Sequence, residues 1–157
     1  GVYWSRLITT TSAVSPEVGA SEQTGISAQI NMKFKQVTSI FYRTGEASTE
    51  IKLSQIRPVL EGNNLQVFAD YTKTGNAPFL GTMWAELFDA DGNSLQKRKM
   101  FVSIYSDGLR RMDMSMKDLP SGMYEVLLSI NSGRTDIEDE NIIPAAPQTM
   151  RGSFTKI

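Results

Sequence analysis

The sequence predicts an all-β protein, and three kinds of observation favour that class. Apolar and polar residues alternate with a period of two in several segments, as they do in strands that bury one face. Segments rich in Gly, Asp, Asn and Pro separate these stretches and are typical of hairpin turns. Along the 157 residues we find no convincing helical period and no internal repeat. We therefore expect strands joined by turns.

The N-terminal part predicts two strands separated by a long loop. Residues 2–9 are rich in aromatic and β-branched residues and predict the first strand. Residues 10–25 hold Ser, Thr, Pro and Gly with little periodicity, and loops of this length inside a domain are uncommon and often functional. Residues 26–42 predict a long strand. Its alternating apolar row is Ile26, Ala28, Ile30, Met32 and Phe34.

The remainder predicts a polar linker and one complete β-module. Residues 44–49 form the linker, and residues 50–56 predict a short strand or a helical turn. From Pro58 the chain continues for about 100 residues, the size of an immunoglobulin-like sandwich. The expected strands of this module are 65–71, 80–88, 94–105, 109–116, 123–130 and 149–157, with turns at 74–76, 89–93 and 119–122.

Composition excludes several functional classes. The chain has no Cys and no His, so it can form neither a disulfide nor a Cys/His zinc site, nor a triad that needs an imidazole. Its net charge of −1 argues against general attraction to nucleic acid or to anionic membranes. No apolar run reaches the length of a membrane span. We expect no cofactor and no metal, and we infer from the missing initiator Met and signal peptide that the chain is a mature or truncated piece of a longer protein.

Two charged clusters each allow two interpretations. The acidic residues of segment 136–140 suggest either a solvated loop or a cation site, and their spacing does not match a calcium loop. Residues 97–99 (Lys-Arg-Lys), with Arg110 and Arg111, suggest a solvated β face or a basic patch for phosphate. In both cases the solvated interpretation is favoured.

Three further features fit a β-sandwich better than a binding or catalytic site. Met112, Met114 and Met116 predict the core face of a strand rather than an adaptable binding surface. Trp84 is expected to be the core aromatic. Glu86 and Asp89 could pair as general acid and base, but they fall at a strand end and in a hairpin turn, so we do not expect an enzyme.

The alternating strand and its end resemble a known family. The strand ends in Phe41-Tyr42-Arg43 and is followed by a β-rich module, and in this it resembles the PapD-like periplasmic chaperones of pilus assembly. The segments "ELFDADGNSL" and "LPSGMYEV" resemble turns of related immunoglobulin-like envelope proteins. The resemblance implies two immunoglobulin-like domains with a cleft between them. It also implies a strand that lends alternating apolar side chains to an incomplete pilin subunit.

Carried onto this chain, the resemblance implies a domain plan and a set of site residues. Residues 1–57 would be the C-terminal strands of a first immunoglobulin-like domain, and residues 58–157 a complete second one. The implied partner-binding residues are Ile26, Ala28, Ile30, Met32 and Phe34. The implied cleft residues are Ser39, Tyr42 and Arg43. The family's basic anchor lies two residues before the Phe of this motif, where this chain has Ser39.

We therefore expect a periplasmic, chaperone-like protein that binds a pilin-like or other envelope subunit by β-strand addition through residues 26–34. The alternative is a permanent structural subunit of a bacterial envelope or surface complex with the same fold, within a larger assembly. Neither hypothesis includes nucleic acid or membrane insertion.

Overall fold

A computed structural model describes residues 1–12 and 33–157, and these residues belong to two compact units. One unit contains Gly1–Val2 and Thr44–Ile157, and the other is Tyr3–Arg43. Strands make up most of the described residues, which confirms the all-β prediction. The strands are β1 Val2–Ser12, β2 Lys33–Arg43, β3 Glu50–Glu61, β4 Asn64–Thr74, β5 Phe79–Phe88, β6 Ser94–Ile104, β7 Gly108–Ser115, β8 Gly122–Ser132 and β9 Gln148–Lys156.

The larger unit is a β-sandwich. One sheet has the strand order β3-β4-β7 and the other has the order β6-β5-β8-β9. All neighbouring strands in both sheets are antiparallel. Apolar side chains from the two sheets meet in one buried cluster, so the predicted sandwich is confirmed. Its assignment to the immunoglobulin-like class stays a prediction.

The core follows the period-two pattern of the sequence. In β4 every second residue from Leu65 to Tyr71 is buried. Met112 and Met114 of β7, together with Met116, are also buried, so the methionine row is a core face as expected. On both strands the opposite row is at least partly exposed to solvent, as one-sided burial of an antiparallel sheet requires.

Strand β3 is longer than the sequence predicts and belongs entirely to the sandwich. Its register against β4 shifts between Leu53 and Gln55, which marks a β-bulge. Before the bulge Ile51 and Leu53 are buried; beyond it the partly buried residues have even numbers, from Ile56 onward. The larger unit contains Gly1–Val2 as well as Thr44–Ile157, so residues 44–57 lie in the same unit as the other sandwich strands.

Trp84 does not lie in the core, contrary to expectation. Met83 and Ala85, its neighbours on β5, are fully buried, so Trp84 points to the outer face of the four-stranded sheet. The ammonium groups of Lys97 and Lys99 lie 5.2 and 5.3 Å from its ring centroid. The core aromatics are instead Phe79, Tyr71 and Tyr124.

The turn between β5 and β6 is closed by Asp89. Its carboxylate accepts hydrogen bonds from the backbone N–H groups of Asp91 (3.0 Å) and Asn93 (2.8 Å) and from the Asn93 side chain (2.9 Å). These bonds, led by that of the Asn93 side chain, lower the pKa of Asp89. Gly92 supplies the positive φ of 82° that the turn needs.

Asn76 fixes the linker that precedes β3. Its side-chain oxygen accepts a hydrogen bond from the backbone N–H of Ser48 (3.0 Å), and its side-chain nitrogen donates one to the carbonyl of Glu46 (3.1 Å). The main-chain carbonyl of Asn76 accepts a hydrogen bond from the backbone N–H of Val2 (3.3 Å). The residues on either side of the smaller unit, Val2 and those after Thr44, are thus held on the sandwich by one side chain and its backbone.

A hydrogen bond from Tyr124 closes the turn before β8. Its buried hydroxyl donates to the carbonyl of Pro120 at 2.6 Å, and its ring stacks on Phe154 with centroids 5.6 Å apart. A tyrosine near the start of a strand that bonds back to the preceding turn has the form of the tyrosine corner found in immunoglobulin-like sandwiches. The "LPSGMYEV" motif therefore has a structural role in this chain.

Tyr124→Phe is expected to destabilise the sandwich by about 1–2 kcal/mol, because the change leaves the Pro120 carbonyl without its donor while keeping the ring. Urea denaturation followed by circular dichroism measures the loss. Tyr42→Phe is the matched control, since Tyr42 is exposed on β2 and its hydroxyl supports no core contact. Equal stability of the two variants would contradict the role assigned to this bond.

Helical structure is confined to one short turn in the part of the chain that the structure describes. It is the three-residue 3₁₀ turn Asp139–Asn141 in the connection between β8 and β9. Within the described residues no helix is long and apolar enough to cross a membrane.

Candidate functional site

The candidate site is the ribbon, defined as the two-stranded sheet formed by β1 and β2. Both strands are 11 residues long, and no residue of either strand is buried. Aromatic and β-branched residues favour the extended conformation here, yet a two-stranded sheet alone is only marginally stable in water. Burial of the ribbon against another polypeptide would stabilise this conformation.

Large apolar side chains lie exposed on both strands of the ribbon. On β2, Phe34 is 61% exposed and Ile40 is 54% exposed. On β1, Leu7 and Ile8 are also more than half exposed. The full set, apart from Trp4, is Tyr3, Leu7, Ile8, Phe34, Val37, Ile40, Phe41 and Tyr42. Contiguous exposed apolar surface of this kind marks an interaction site more often than an ordinary solvated face.

The apolar residues occupy both faces of each strand. Side chains alternate between faces, so the adjacent residues Leu7 and Ile8 of β1 point in opposite directions, as do Ile40 and Phe41 of β2. A strand that is covered on one face only would show a polar second row, as β4 does. The ribbon therefore presents apolar surface on two sides.

Uncharged segments of the ribbon lack the features that protect the edges of the sandwich. Edge strand β6 carries Lys97, Arg98 and Lys99 in succession, edge strand β7 carries Arg110 and Arg111, and edge strand β3 contains a proline. Charges and prolines on edge strands prevent pairing with other chains. This accounts for the basic cluster at 97–99 without a phosphate ligand.

The central part of β2 has no such protection. Residues 36–42 contain no charge, no proline and no glycine and are rich in β-branched and aromatic residues. Segments of this composition pair readily with other strands when they are exposed. Residues 7–12 of β1 are likewise free of charged residues. The ribbon thus combines apolar faces with an uncharged segment on each of its two edge strands.

Four of the predicted site residues lie on β2. Phe34, Ser39, Tyr42 and Arg43 are all exposed there, and Ser39 and Arg43 share one row of side chains while Phe34 and Tyr42 share the other. The other predicted partner-binding residues, Ile26, Ala28, Ile30 and Met32, lie outside the described residues. The predicted binding row ended at Phe34 and did not include Val37, Ile40 and Phe41. Val37 and Phe41 lie on the odd-numbered row of β2, and Ile40 lies on the even-numbered row with Phe34.

The charged clusters of the sandwich have partners within it. The guanidinium of Arg134 donates to Asp136 at 2.6 Å and to the hydroxyl of Ser103 at 2.8 Å. The bond from Arg134 lowers the pKa of Asp136. In the described part of the chain no acidic residues are grouped closely enough to hold a metal ion. Arg134 thus links the acidic segment to β6, through an ion pair with Asp136 and a hydrogen bond to Ser103.

The two carboxylates considered for acid–base chemistry also have structural partners. Glu86 accepts a hydrogen bond from the Ser94 hydroxyl at 2.7 Å and pairs with Lys97 at 3.4 Å. The Ser94 bond, supported by Lys97, lowers the pKa of Glu86. Asp89 closes its turn, as described above. Both carboxylates are thus stabilised in the charged form and committed to local hydrogen bonds.

Comparisons with known proteins give one described structural similarity and no family. No protein-family model matches it, and a comparison with curated proteins finds no match. Among solved structures, it is similar to wild-type OgpA from Akkermansia muciniphila with 10% sequence identity and a TM-score of 0.42. The similarity covers 67% of this chain and 27% of that protein, so the chain spans about a quarter of its length. A TM-score of this size establishes neither a shared fold nor a shared activity.

Proposed function

We propose that this protein binds a partner polypeptide by β-strand addition through the ribbon. One observation carries the proposal: the ribbon exposes large apolar side chains on both faces, while residues 7–12 of β1 and 36–42 of β2 carry none of the protecting charges found on the edges of the sandwich. In strand addition, main-chain hydrogen bonds at a sheet edge give affinity, and alternate side chains filling pockets give selectivity. The ribbon offers both components.

The energetics favour a covered ribbon. Complete burial of one large apolar side chain is worth roughly 1.5–3 kcal/mol. The ribbon offers Phe34, Val37 and Ile40 on β2 alone, along with aromatic neighbours. Association and ordering together cost several kcal/mol, so only part of this gain appears as affinity. Burial of three or four such side chains would contribute roughly 5–12 kcal/mol towards this cost, in addition to the new hydrogen bonds at the edge.

The resemblance to PapD-like chaperones suggests where this binding takes place. The Phe41-Tyr42-Arg43 end of β2 and the following β-sandwich support a periplasmic chaperone-like protein that holds a pilin-like or other envelope subunit during assembly. Ser39 stands where that family has a basic anchor, and a hydroxyl brings no charge to a client's terminal carboxylate. We therefore propose that the client is held mainly along the strand rather than by its C-terminus.

A permanent structural subunit of an envelope complex is the second candidate. The observation that favours it is the apolar character of both ribbon faces, since a transient chaperone must survive with this surface uncovered between clients. A fixed building block would keep the ribbon covered from assembly onward. The two candidates share the binding site and differ in the lifetime of the complex.

Affinity purification from native envelopes tests the proposal. We expect the double variant Phe34→Asp and Ile40→Asp to lose its partner, because a buried charge without a counter-charge costs several kcal/mol. Both residues lie on the same row of β2 and neither contributes to the sandwich core. The thermal midpoint of the sandwich should therefore stay at the wild-type value.

The matched control is Leu95→Asp with Met123→Asp. These residues are exposed apolar side chains of the sandwich, so the control introduces the same charges elsewhere. We expect it to retain the partner that mass spectrometry identifies for the wild type. Retention of that partner by the ribbon variant, or its loss from the control, would refute binding through the ribbon. A chase with unlabelled protein then separates exchange, expected for a chaperone, from permanent incorporation.

A further inference from the structure

The ribbon is basic, although the chain as a whole is not. Its strands carry Arg6, Lys33, Lys35 and Arg43 and contain no Asp or Glu. The whole chain has a net charge of −1, so the acidic residues are concentrated in other parts of it. Among the described residues, the two strands that are richest in exposed apolar side chains therefore carry positive charge only.

The cations of β2 all lie on one row of side chains. Lys33, Lys35 and Arg43 have odd numbers, so they share a face with Val37 and Phe41. At about 3.3 Å per residue, Lys35 and Arg43 lie roughly 26 Å apart at the two ends of this apolar row. The opposite row, from Phe34 to Tyr42, carries no charge.

These cations lack carboxylate partners in the structure. Within residues 1–12 and 33–157, none of the ion pairs involves Lys33, Lys35 or Arg43. Some basic residues of the sandwich strands, Arg57, Lys97 and Arg151, do pair with an acidic neighbour. The charges of Lys33, Lys35 and Arg43 are available to a partner.

We infer that the ribbon takes an acidic partner strand, with carboxylates at both ends of an apolar row that covers Val37 and Phe41. This inference rests on the proposed strand addition and adds the chemistry of the partner. Opposite charges directly across paired strands are stabilising and like charges are destabilising. Complementary charge also raises the association rate and selects against wrong partners.

The same charge argues against a second copy of this chain as the partner. Two ribbons brought together would place eight basic residues in one interface with no acidic residue from either ribbon. Closed symmetric interfaces are self-complementary, which a purely cationic surface is not. The ribbon therefore selects a different polypeptide.

An anionic lipid surface would attract the cations but would not complete the ribbon. The free edges of β1 and β2 present backbone N–H and C=O groups that lipid cannot pair, and open sheet edges do not occur in the hydrocarbon region of a bilayer. A polypeptide strand satisfies these groups as well as the charges. The combination of an open edge with flanking cations thus favours an acidic strand.

Two synthetic 11-residue peptides test the inference. Both carry the same alternating apolar row, and they differ only in having Glu or Lys at the flanking positions. Fluorescence anisotropy measures their binding to the full chain at about 20 mM and about 500 mM salt. We expect the acidic peptide to bind at least about tenfold more tightly at low salt and the preference to fall below about threefold at high salt.

Variants that remove charge identify the residues responsible for the preference for the acidic peptide. Lys35→Gln with Arg43→Gln should abolish the preference for the acidic peptide without changing the circular dichroism of the protein. The matched control, Lys97→Gln with Arg98→Gln, removes the same charge from edge strand β6 and should keep the preference. A preference that survives in the ribbon variant, or that disappears in the control, overturns the assignment to these residues.

The remaining outcomes separate this inference from the proposal on which it rests. Equal binding of both peptides overturns the acidic partner and leaves strand addition intact. Binding of neither peptide, together with ribbon-dependent binding to vesicles containing phosphatidylglycerol, overturns both. Self-association of the chain that the Phe34→Asp, Ile40→Asp variant abolishes overturns the acidic partner in favour of a second copy.

Discussion

Gly81→Ala is expected to destabilise the sandwich by about 3 kcal/mol or more, a large part of the stability of a domain of this size. Gly81 lies near the start of β5, paired with Val102 of β6 on one side and with Ser132 of β8 on the other. A methyl group at this position would overlap the backbone carbonyl of Asn131 and the ring of Phe79. The carbonyl cannot move without separating two central strands.

Differential scanning calorimetry checks this expectation, with a fall of roughly 10 °C or more in the thermal midpoint. Gly108→Ala is the matched control. The nearest atom to a methyl group there is the Tyr71 hydroxyl at 3.1 Å, the far end of a side chain that can adjust. We expect the control to lose less than about 1 kcal/mol. Similar midpoints for the two variants would show that β5 and β8 are not packed as the structure places them.

The sandwich could be predicted from the sequence because its strands carry regular signals. The alternation from Leu65 to Tyr71 and the methionine row of β7 both predicted the buried faces that the structure shows. The Asp-Gly turn at 89–93 gave the β5–β6 hairpin. Each of these signals is local and acts through side-chain direction or turn geometry, so neighbouring sheets were not needed to interpret them.

The extent of β3 could not be predicted from the same signals. A bulge at Ser54 moves the inward positions from odd to even numbers, which interrupts the period-two pattern in the middle of the strand. In the sequence, Pro58 then looks like the end of a strand. A proline is tolerated within β3 because β3 lies at the edge of its sheet. Strand β3 therefore runs from Glu50 to Glu61 through the proline, whereas the sequence pattern predicted a short element at 50–56 and a new module from Pro58.

The position of Trp84 depends on information that a single strand does not carry. Both faces of β5 hold large residues, so periodicity alone does not identify the buried face. The neighbouring strand decides it, because β6 places Lys97 and Lys99 beside the Trp84 ring. A tryptophan at the surface can pack against the aliphatic parts of two neighbouring lysines and interact with their ammonium groups.

The candidate site was only partly predictable for a similar reason. Alternation identified a strand with one apolar row, and Phe34 lies on β2 as expected. That both faces are apolar, and that residues 36–42 lie uncharged on an edge strand, becomes evident only from the pairing of β2, whose one neighbour among the described strands is β1. The same uncharged segment in the middle of a large sheet would be an ordinary core strand.

Hydrogen exchange gives the largest expected contrast between the two units. In the isolated chain, the amides of β1 and β2 should exchange at least about 100-fold faster than those of the central strands β5 and β8. Two strands without a buried residue open at little cost, whereas β5 and β8 open only when the core is lost. Mass spectrometry of proteolytic fragments resolves the two units.

Addition of the partner should slow exchange in the ribbon by about 100-fold and leave the sandwich amides unchanged. Strand addition also predicts which amides of β2 respond. Within a paired strand, alternate N–H groups bond to the existing neighbour and the others point to the free edge. Residue-level exchange by NMR should show new protection at every second residue of the pairing strand.

This alternation distinguishes strand addition from capture by side chains alone. A partner that only covers Phe34, Val37 and Ile40 would slow all ribbon amides together by stabilising the existing pair, with no two-residue pattern. The Phe34→Asp, Ile40→Asp variant is the control and should show no protection from the same partner. Protection confined to edge strands of the sandwich would refute the ribbon as the site, since β6 and β7 carry the charges that prevent pairing.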